Sequence, residues 1–154
     1  MARVYIAGPM RGYPKFNFPA FDRARDLGVS LNWKVISPAD IDRASGVHEG
    51  DDQVEFSWGH VRAFAERDTQ AILSLRAEEG DAIALLPGWE HSKGATCEYY
   101  LARWLGLAIL DATNFHFYPS EKLLECLKSQ TAAAAARSAQ EPKGTVTTPS
   151  HVRG

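Results

Sequence analysis

Two acidic residues stand at positions where the helical pattern calls for core side chains. Glu98 shares the inward face of one predicted helix with Leu101, and no residue three or four positions away carries a charge. Asp68 interrupts the apolar stripe of the preceding helix, between Phe64 and Ile72. A buried carboxylate is costly unless it is paired or used, so both are candidate catalytic groups. Alternatively, the helix dipole favours Glu98, and Asp68 caps or bonds a neighbouring loop.

Two carboxylates at one site suit glycosyl chemistry. The transition state resembles an oxocarbenium ion, which a nearby anion stabilises. One carboxylate can attack the anomeric carbon while the second acid serves the leaving group. This chemistry requires the two helices to present Glu98 and Asp68 to the same pocket.

The elements that must position these acids alternate along the chain. Short apolar strands are predicted at 3–7, 34–37, 83–86 and 107–110. Helices are predicted from Pro19 to about Leu31, from Phe56 to Leu75, from the cap Ser92 to Gly106, and from Ser120 to Ser129. This alternation predicts an α/β fold in which helices cover both faces of a parallel sheet.

Three loops follow the carboxyl ends of predicted strands, at 8–14, 38–53 and 87–94. In an open parallel sheet these ends share one edge, which is where ligands bind. The stretch 39–53 reads as polar and irregular, and a connection of that length is often functional or mobile. We therefore expect the three loops to meet around one site.

Two of these loops carry features that suit an anion. Gly8-Pro9-Met10-Arg11-Gly12 is a glycine-bearing turn whose backbone N–H groups can approach a phosphate, although it is not a Walker loop. Arg11 could add a guanidinium, or it is an ordinary exposed arginine. Ser92 and Gly94 form a second possible anion seat at a helix N-terminus, or Ser92 is a plain N-cap.

The composition limits the classes of molecule that the protein is expected to bind. The chain has 154 residues, enough for one domain, and its net charge of −2 offers no polybasic field, so we expect no nucleic acid polymer and no membrane as partner. Cys97 and Cys126 lack metal spacing, and Cys97 reads as a packing residue, so a cytoplasmic location is expected. His48 and His60 are isolated, and we expect neither a metal nor a cofactor. No signal peptide or membrane span is expected.

The domain is predicted to occupy residues 1–129. From Gln130 to Gly154 the apolar pattern disappears, and an alanine run gives way to a stretch rich in Thr, Pro, Ser and Gly. Such composition is typical of a disordered tail.

Several motifs together resemble the nucleoside 2-deoxyribosyltransferase-like superfamily, and more closely its DUF4406 branch, which is common in phage and bacterial genomes. The motifs span about residues 3–110 and are listed here in order: Tyr5-Ile-Ala-Gly-Pro-Met10, Asn17-Phe-Pro-Ala-Phe21, Asp68, and Asp81 to Glu98 with Leu-Pro-Gly-Trp and Ser-x-Gly-Ala-x-x-x-Glu.

The resemblance implies a flavodoxin-like (Rossmann-like) three-layer sandwich with a four- to five-stranded parallel sheet. It implies that Glu98 is the nucleophile at the sugar C1′ and that Asp68 assists at the base. It also implies that the first loop holds the substrate and that Ser92 and Gly94 help hold a 5′-phosphate. Pro9 stands where nucleotide N-hydrolases of the superfamily carry a serine.

The expected substrate is a nucleoside or nucleoside 5′-monophosphate, and Gly88 and Trp89 of the third loop are predicted to bind it. Trp89 and Tyr13 are the candidates to stack on the base. The alternative is that each aromatic residue packs its own loop. The resemblance also implies a homodimer or higher oligomer, to which the aromatic loop 114–118 could contribute. Two rival functions stay open on the same fold: a non-catalytic nucleotide-binding or sequestering protein, and an interaction domain with a relic site.

Overall fold

The computed structural model describes residues 1–51 and 57–140. The strands are β1 (Arg3–Ala7), β2 (Lys34–Ile36), β3 (Ala82–Leu85) and β4 (Ala108–Asp111). The α-helices are α1 (Phe18–Ser30), α2 (Pro38–Ala44), α3 (Trp58–Leu73), α4 (Lys93–Trp104) and α5 (Ser120–Gln140). Short 3-10 turns lie at Pro14–Asn17, Glu49–Asp51, Ala77–Glu79 and Trp89–His91.

The four strands form one parallel sheet in the order β2-β1-β3-β4. Tyr5 pairs with Ile36 on one side and with Ile83 on the other, so β1 is an interior strand. This order is that of flavodoxin-like folds, in which ligands bind where the strand order reverses, between β1 and β3. The predicted parallel α/β sandwich is therefore confirmed, with four strands.

The two faces of β1 serve different layers, because successive residues of a strand point to opposite sides of the sheet. Ile6 packs in one buried cluster with Phe21 of α1. Tyr5 packs in the other cluster with Ile72 of α3 and Tyr99 of α4. The sheet is thus the middle layer of three, and Tyr5 lies beneath the helices that carry the two candidate acids.

Asp81 ties β1 to β3 at the edge of the sheet opposite the predicted site. Its buried carboxylate accepts hydrogen bonds from the backbone N–H groups of Arg3 and Arg76 at 2.7 and 2.8 Å. The Arg3 guanidinium donates to it at 2.6 Å. Burial raises the pKa of Asp81, but these hydrogen bonds outweigh it and hold the pKa below its usual value. The charge is therefore retained and fixes the start of both strands.

The prediction that 39–53 is irregular is wrong in part, because this stretch contains most of α2. Pro38 occupies the first turn, where its fixed φ suits a helix. Polar contacts replace the missing apolar stripe: Arg43 of α2 donates to Asp22 of α1 at 2.7 Å. Two predicted boundaries, Gln53 of the loop and Phe56 of the next helix, lie outside the described residues.

The last helix continues beyond its predicted end at Ser129 and reaches Gln140. Alanine has the highest helix propensity, so the alanine run stays helical without an apolar stripe. Gln130 also anchors this extension, donating at 3.0 Å to the hydroxyl of Thr96. Leu124 of this helix has an apolar side chain but is 56% exposed. The tail beyond residue 140 lies outside the described residues. Within the described residues, no helix is long and apolar enough to cross a membrane.

Candidate functional site

A pocket of about 770 Å³ opens at the carboxyl edge of the sheet. The three predicted loops all contribute to its wall, and α3 and α4 supply the two acids. The structure thus brings together most residues that the sequence singles out. Those that line the pocket are Gly8, Pro9, Met10, Arg11, Tyr13, Asp68, Ser92, Gly94 and Glu98.

Glu98 projects from the second turn of α4 towards the sheet. The hydroxyl of Tyr5, on β1, donates a 2.8 Å hydrogen bond to its Oε1. Ala95 and Ala102, one turn to either side, are buried, so the helix presents this face to the core, as its spacing predicts. Glu98 therefore lies at the floor of the pocket, at the switch point between β1 and β3.

Burial raises the pKa of Glu98 to about 8. The hydrogen bond from Tyr5 and the charge of Arg67 oppose this rise, whereas the charge of Asp68 adds to it. Burial also raises the pKa of Tyr5 well above its usual value, so its hydroxyl keeps its proton and remains a donor. At neutral pH this environment therefore favours the neutral acid form of Glu98.

Asp68 lies across the pocket from α4 and is clamped by its sequence neighbour. Arg67 donates from Nε and Nη2 to Oδ1 of Asp68, at 2.8 and 2.7 Å. Its Nη1 donates at 2.5 Å to Oδ1 of Asp42, on α2. Burial raises the pKa of Asp68, although Arg67 and Arg11 oppose the rise. One guanidinium thus joins two carboxylates from two helices at the pocket wall.

The first loop is shaped by a close approach at Gly8. A Cβ at this position would lie 2.7 Å from Cβ of Leu86, closer than van der Waals contact permits. The loop is also held from the other side, because the side-chain amide of Asn17 donates at 2.8 Å to the carbonyl of Pro9. The glycine therefore allows the loop to pass over the end of β3 and reach the pocket.

The third loop ends at the N-terminus of α4, where Ser92 is the N-cap, as predicted. Its hydroxyl accepts a hydrogen bond from the backbone N–H of Ala95 at 3.4 Å. Ser92, Lys93 and Gly94 all line the pocket. A helix N-terminus carries partial positive charge and unpaired N–H groups, so this wall can accept an anion.

An aromatic and cationic wall faces the acids. The guanidinium carbons of Arg11 and Arg67 lie 5.8 and 5.4 Å from the centre of the Phe64 ring. Trp58 also lines the pocket and is 85% exposed. The pocket therefore combines a flat apolar surface with positive charge, which suits a ligand that has a planar ring and an anionic group.

Three predicted substrate-binding residues do not line the pocket: Gly12, Gly88 and Trp89. Trp89 is fully buried, its ring centre lies 4.5 Å from that of Tyr99, and its indole N–H donates to Tyr118 at 3.3 Å. The prediction that it stacks on a base is wrong, and the alternative of packing holds. Gly88 adopts a left-handed φ of 82°, which turns the chain after β3.

The aromatic loop 114–118 does not line the pocket of its own chain, and its contribution across a subunit interface stays a prediction. Phe115 and Tyr118 are buried within the same chain, whereas Phe117 is exposed.

Cys97 corrects another prediction, because it is exposed and lines the pocket rather than packing in the core. One residue along a helix turns about 100°, which carries Cys97 off the inward face of Glu98. His48 and His60 lie outside the pocket. In residues 1–51 and 57–140, no three His, Cys, Asp or Glu side chains are grouped to hold a metal ion.

Sequence reasoning missed three residues of the site: Tyr5, Arg67 and Asp42. Tyr5 offers a signal, since a tyrosine in an apolar buried strand needs a partner for its hydroxyl. Arg67 offers a similar signal, since it is the cation next in sequence to an acid that is expected to be buried. Asp42 carries no comparable signal, because α2 itself is not predicted.

Comparison with known proteins places this site within a family. The profile of a family described as Domain of unknown function (DUF4406) matches residues 2–111, which include every strand and both candidate acids. No curated protein and no solved structure matches the chain. Since the profile covers well over half of its length, the chain belongs to the DUF4406 family.

Proposed function

We propose that the protein cleaves or transfers the N-glycosidic bond of a (deoxy)nucleoside or nucleoside 5′-monophosphate. The observation that carries this proposal is the place of Glu98, at the floor of the pocket and held by Tyr5 at 2.8 Å. A carboxylate fixed by a neutral donor is oriented for attack without losing its negative charge to an ion pair. The likeness to nucleoside 2-deoxyribosyltransferase-like proteins adds the substrate class.

In the proposed reaction an ionised Glu98 oxygen attacks C1′ of the sugar. The C1′–N bond breaks, and its electron pair leaves with the base. Asp68, whose pKa is raised by burial, protonates the departing base or orients it. Water, or the nitrogen of a second base, then attacks C1′ and releases Glu98, so that two inversions retain the configuration at C1′.

The phosphate of a nucleotide would lie at the N-terminus of α4. Ser92 and Gly94 flank the N–H groups there, and Arg11 and Lys93 bring positive charge to the same pocket. Tyr13, half-exposed on the first loop, is the aromatic candidate for contact with the base. A monophosphate is therefore preferred to a free nucleoside.

A second function, binding without turnover, is favoured by one observation. Burial raises the pKa of Glu98 to about 8 and so favours its neutral form at pH 7, and a neutral carboxyl is a poor nucleophile. A protein that only sequesters nucleotides would need no ionised Glu98. In that case bound nucleotide is recovered intact after long incubation.

We also propose that the chain forms a homodimer. Trp104 and Tyr100 project from the outer face of α4, and Trp104 is 87% exposed. Exposed aromatic residues of this kind are typical of interfaces. Light scattering of the purified protein would show a mass of twice 17.0 kDa.

The decisive experiment incubates the protein with the deoxynucleoside 5′-monophosphates and the free deoxynucleosides, with and without a second base. Chromatography detects released or exchanged base. Glu98→Gln should abolish turnover, whereas Glu66→Gln, on the exposed side of α3, should not. Turnover that survives in Glu98→Gln would exclude Glu98 as nucleophile, and intact nucleotide with measurable affinity would favour sequestration.

A further inference from the structure

Arg67 makes an unusual double contact at the pocket. Its Nε and Nη2 both donate to a single oxygen, Oδ1 of Asp68, rather than one to each carboxylate oxygen. The remaining guanidinium nitrogen, Nη1, donates to Asp42 on another helix. Three donors of one rigid fork are thus engaged with two carboxylates from two helices.

This geometry divides the two oxygens of Asp68 into different roles. Oδ1 is held by two charge-assisted hydrogen bonds, which are among the stronger contacts that a carboxylate makes. Among the hydrogen bonds of the described residues, the guanidinium makes none to Oδ2. Since Asp68 is only 16% exposed yet lines the pocket, the carboxylate cannot rotate freely once Oδ1 is fixed.

We propose that Arg67 is a positioning residue, which fixes Oδ1 of Asp68 so that Oδ2 meets the substrate, and that α2 anchors this arrangement through Asp42. The inference rests on the proposed function, because it takes the base of the substrate as the group that Oδ2 contacts. It assigns α2 a part in the site although this helix supplies no candidate catalytic group.

Arginine suits this position better than lysine would. Its planar fork has donors in fixed directions, so one side chain can reach both carboxylates at once. The packing of its guanidinium 5.4 Å from the centre of the Phe64 ring restricts it further. Lysine would keep the positive charge but would lose the second donor to Oδ1.

The ionisation of Asp68 depends on all the groups around it. Arg67 lies on its own helix, Asp42 on α2 and Arg11 on the first loop, and Glu98 and Tyr5 interact with it from α4 and β1. The two arginines favour the ionised form, and the neighbouring acids disfavour it. Removal of Arg67 should therefore leave Asp68 harder to ionise.

The test compares Arg67→Gln, Arg67→Lys and the matched control Arg62→Gln in the full-length protein. Arg62 is an exposed arginine of the same helix, paired with Glu66 at 2.7 Å. Carboxyl carbon NMR, with Asp68→Asn to assign the signal, follows the titration of Asp68 without any need for turnover. Steady-state kinetics on the nucleotide found to be cleaved gives kcat and KM separately.

We expect the titration midpoint of Asp68 to move to higher pH in Arg67→Gln and to stay near wild type in Arg67→Lys and Arg62→Gln. We expect kcat to fall roughly 10- to 100-fold in Arg67→Lys, with a smaller change in KM, because a misplaced group costs rate more than binding. The melting temperature of each variant shows whether it is folded. If Arg67→Gln is not folded, Arg67→Lys, which keeps the charge, tests the inference in its place.

Two results would overturn the inference: full kcat in Arg67→Lys, or an unchanged Asp68 midpoint in folded Arg67→Gln. If the wild-type protein cleaves none of the nucleotides, the proposed function fails. The Asp68 midpoint then decides alone whether Arg67 controls this carboxyl, so the two failures are distinguishable.

Discussion

The hydroxyl of Tyr5 donates a 2.8 Å hydrogen bond to Oε1 of Glu98 across 93 positions of the chain. This contact joins the floor of the sheet to the acid of α4, and it partly offsets the rise in the Glu98 pKa that burial causes. Because the donor is neutral, the bond fixes the carboxyl group without supplying a permanent positive charge.

Tyr5→Phe should reduce activity through the ionisation of Glu98. Without the donor the pKa of Glu98 rises above about 8, and the ionised fraction at pH 7 falls. A hydrogen bond to a charged group contributes about 1.5–3 kcal/mol, so kcat/KM at pH 7 should fall roughly 10- to 100-fold. Rate measurements at pH 7 and pH 9 should show the deficit narrowing at the higher pH.

The matched control for this prediction is Tyr100→Phe, because Tyr100 is half exposed on the outer face of α4. It should retain wild-type activity at both pH values. Equal activity of Tyr5→Phe and wild type at pH 7 would show that the bond has no part in the reaction.

The wild-type pH profile should rise on the alkaline side of neutrality. If the ionised form of Glu98 attacks C1′ and Asp68 orients the base without protonating it, kcat/KM increases as pH passes through about 8, since this parameter reports the free enzyme. Asp68 interacts with Glu98, so the observed midpoint belongs to the coupled pair. A profile that is flat or falling between pH 6 and 9 would contradict this combination of roles for Glu98 and Asp68.

Glu98→Gln should stabilise the fold even though it abolishes turnover. The folded pKa of about 8 exceeds the usual glutamate value, so between about pH 5 and pH 8 the folded state keeps a proton that the unfolded chain has released. Stability therefore falls with rising pH over this window, and glutamine removes the loss while still accepting from Tyr5. At pH 8 the gain should be on the order of a few kcal/mol, and at pH 4 it should vanish.

Thermal unfolding from pH 4 to pH 9 measures this effect, with Glu66→Gln as the exposed control. A Glu98→Gln variant that is less stable than wild type at pH 8 would contradict a raised pKa of Glu98 in the native protein.

Gly8→Ala should damage both stability and ligand binding. The new Cβ would lie 2.7 Å from Cβ of Leu86, so the first loop or the end of β3 must shift. Overpacking of this kind typically costs about 1–3 kcal/mol of stability. Chemical denaturation and nucleotide affinity measure the two effects. Gly50→Ala is the control, since a Cβ there meets nothing within 4 Å.

The double variant Gly8→Ala with Leu86→Gly tests the cause of that loss, because glycine removes the Cβ at position 86 that lies 2.7 Å from the new methyl group. It should be less impaired in nucleotide binding than Gly8→Ala alone, because the clash is removed. No recovery in the double variant would show that Gly8 matters for another reason than space.

The sequence predicts the sheet, and it predicts that both acids face inward, because both features depend on local periodicity. Glu98 and Asp68 each lie on a helical face whose apolar neighbours point inward, and the structure brings both to one pocket. The parallel order follows from the alternation of strands and helices. Local pattern is thus enough to place the acids at the carboxyl edge of the sheet.

Contacts between distant residues are what the sequence does not predict. The sequence neighbours of Trp89 indicate an aromatic residue in a loop. Only its packing against Tyr118 and Tyr99 in the structure shows that it is buried. The clamp from Arg67 to Asp42 depends on α2, a helix held by ion pairs to α1 rather than by an apolar stripe. An ion pair between two residues that are distant in the chain leaves no periodic pattern in the sequence.

The interior position of β1 has a consequence for biosynthesis. Among the four described strands β1 leaves the ribosome first, yet its partner β3 is translated about 80 residues later. At roughly 5–20 residues per second, the nascent chain waits several seconds with one hydrogen-bonding edge of its central strand unsatisfied. A ribosome-bound chaperone that shields this amino-terminal segment would therefore raise the yield of native protein more than one that acts after release.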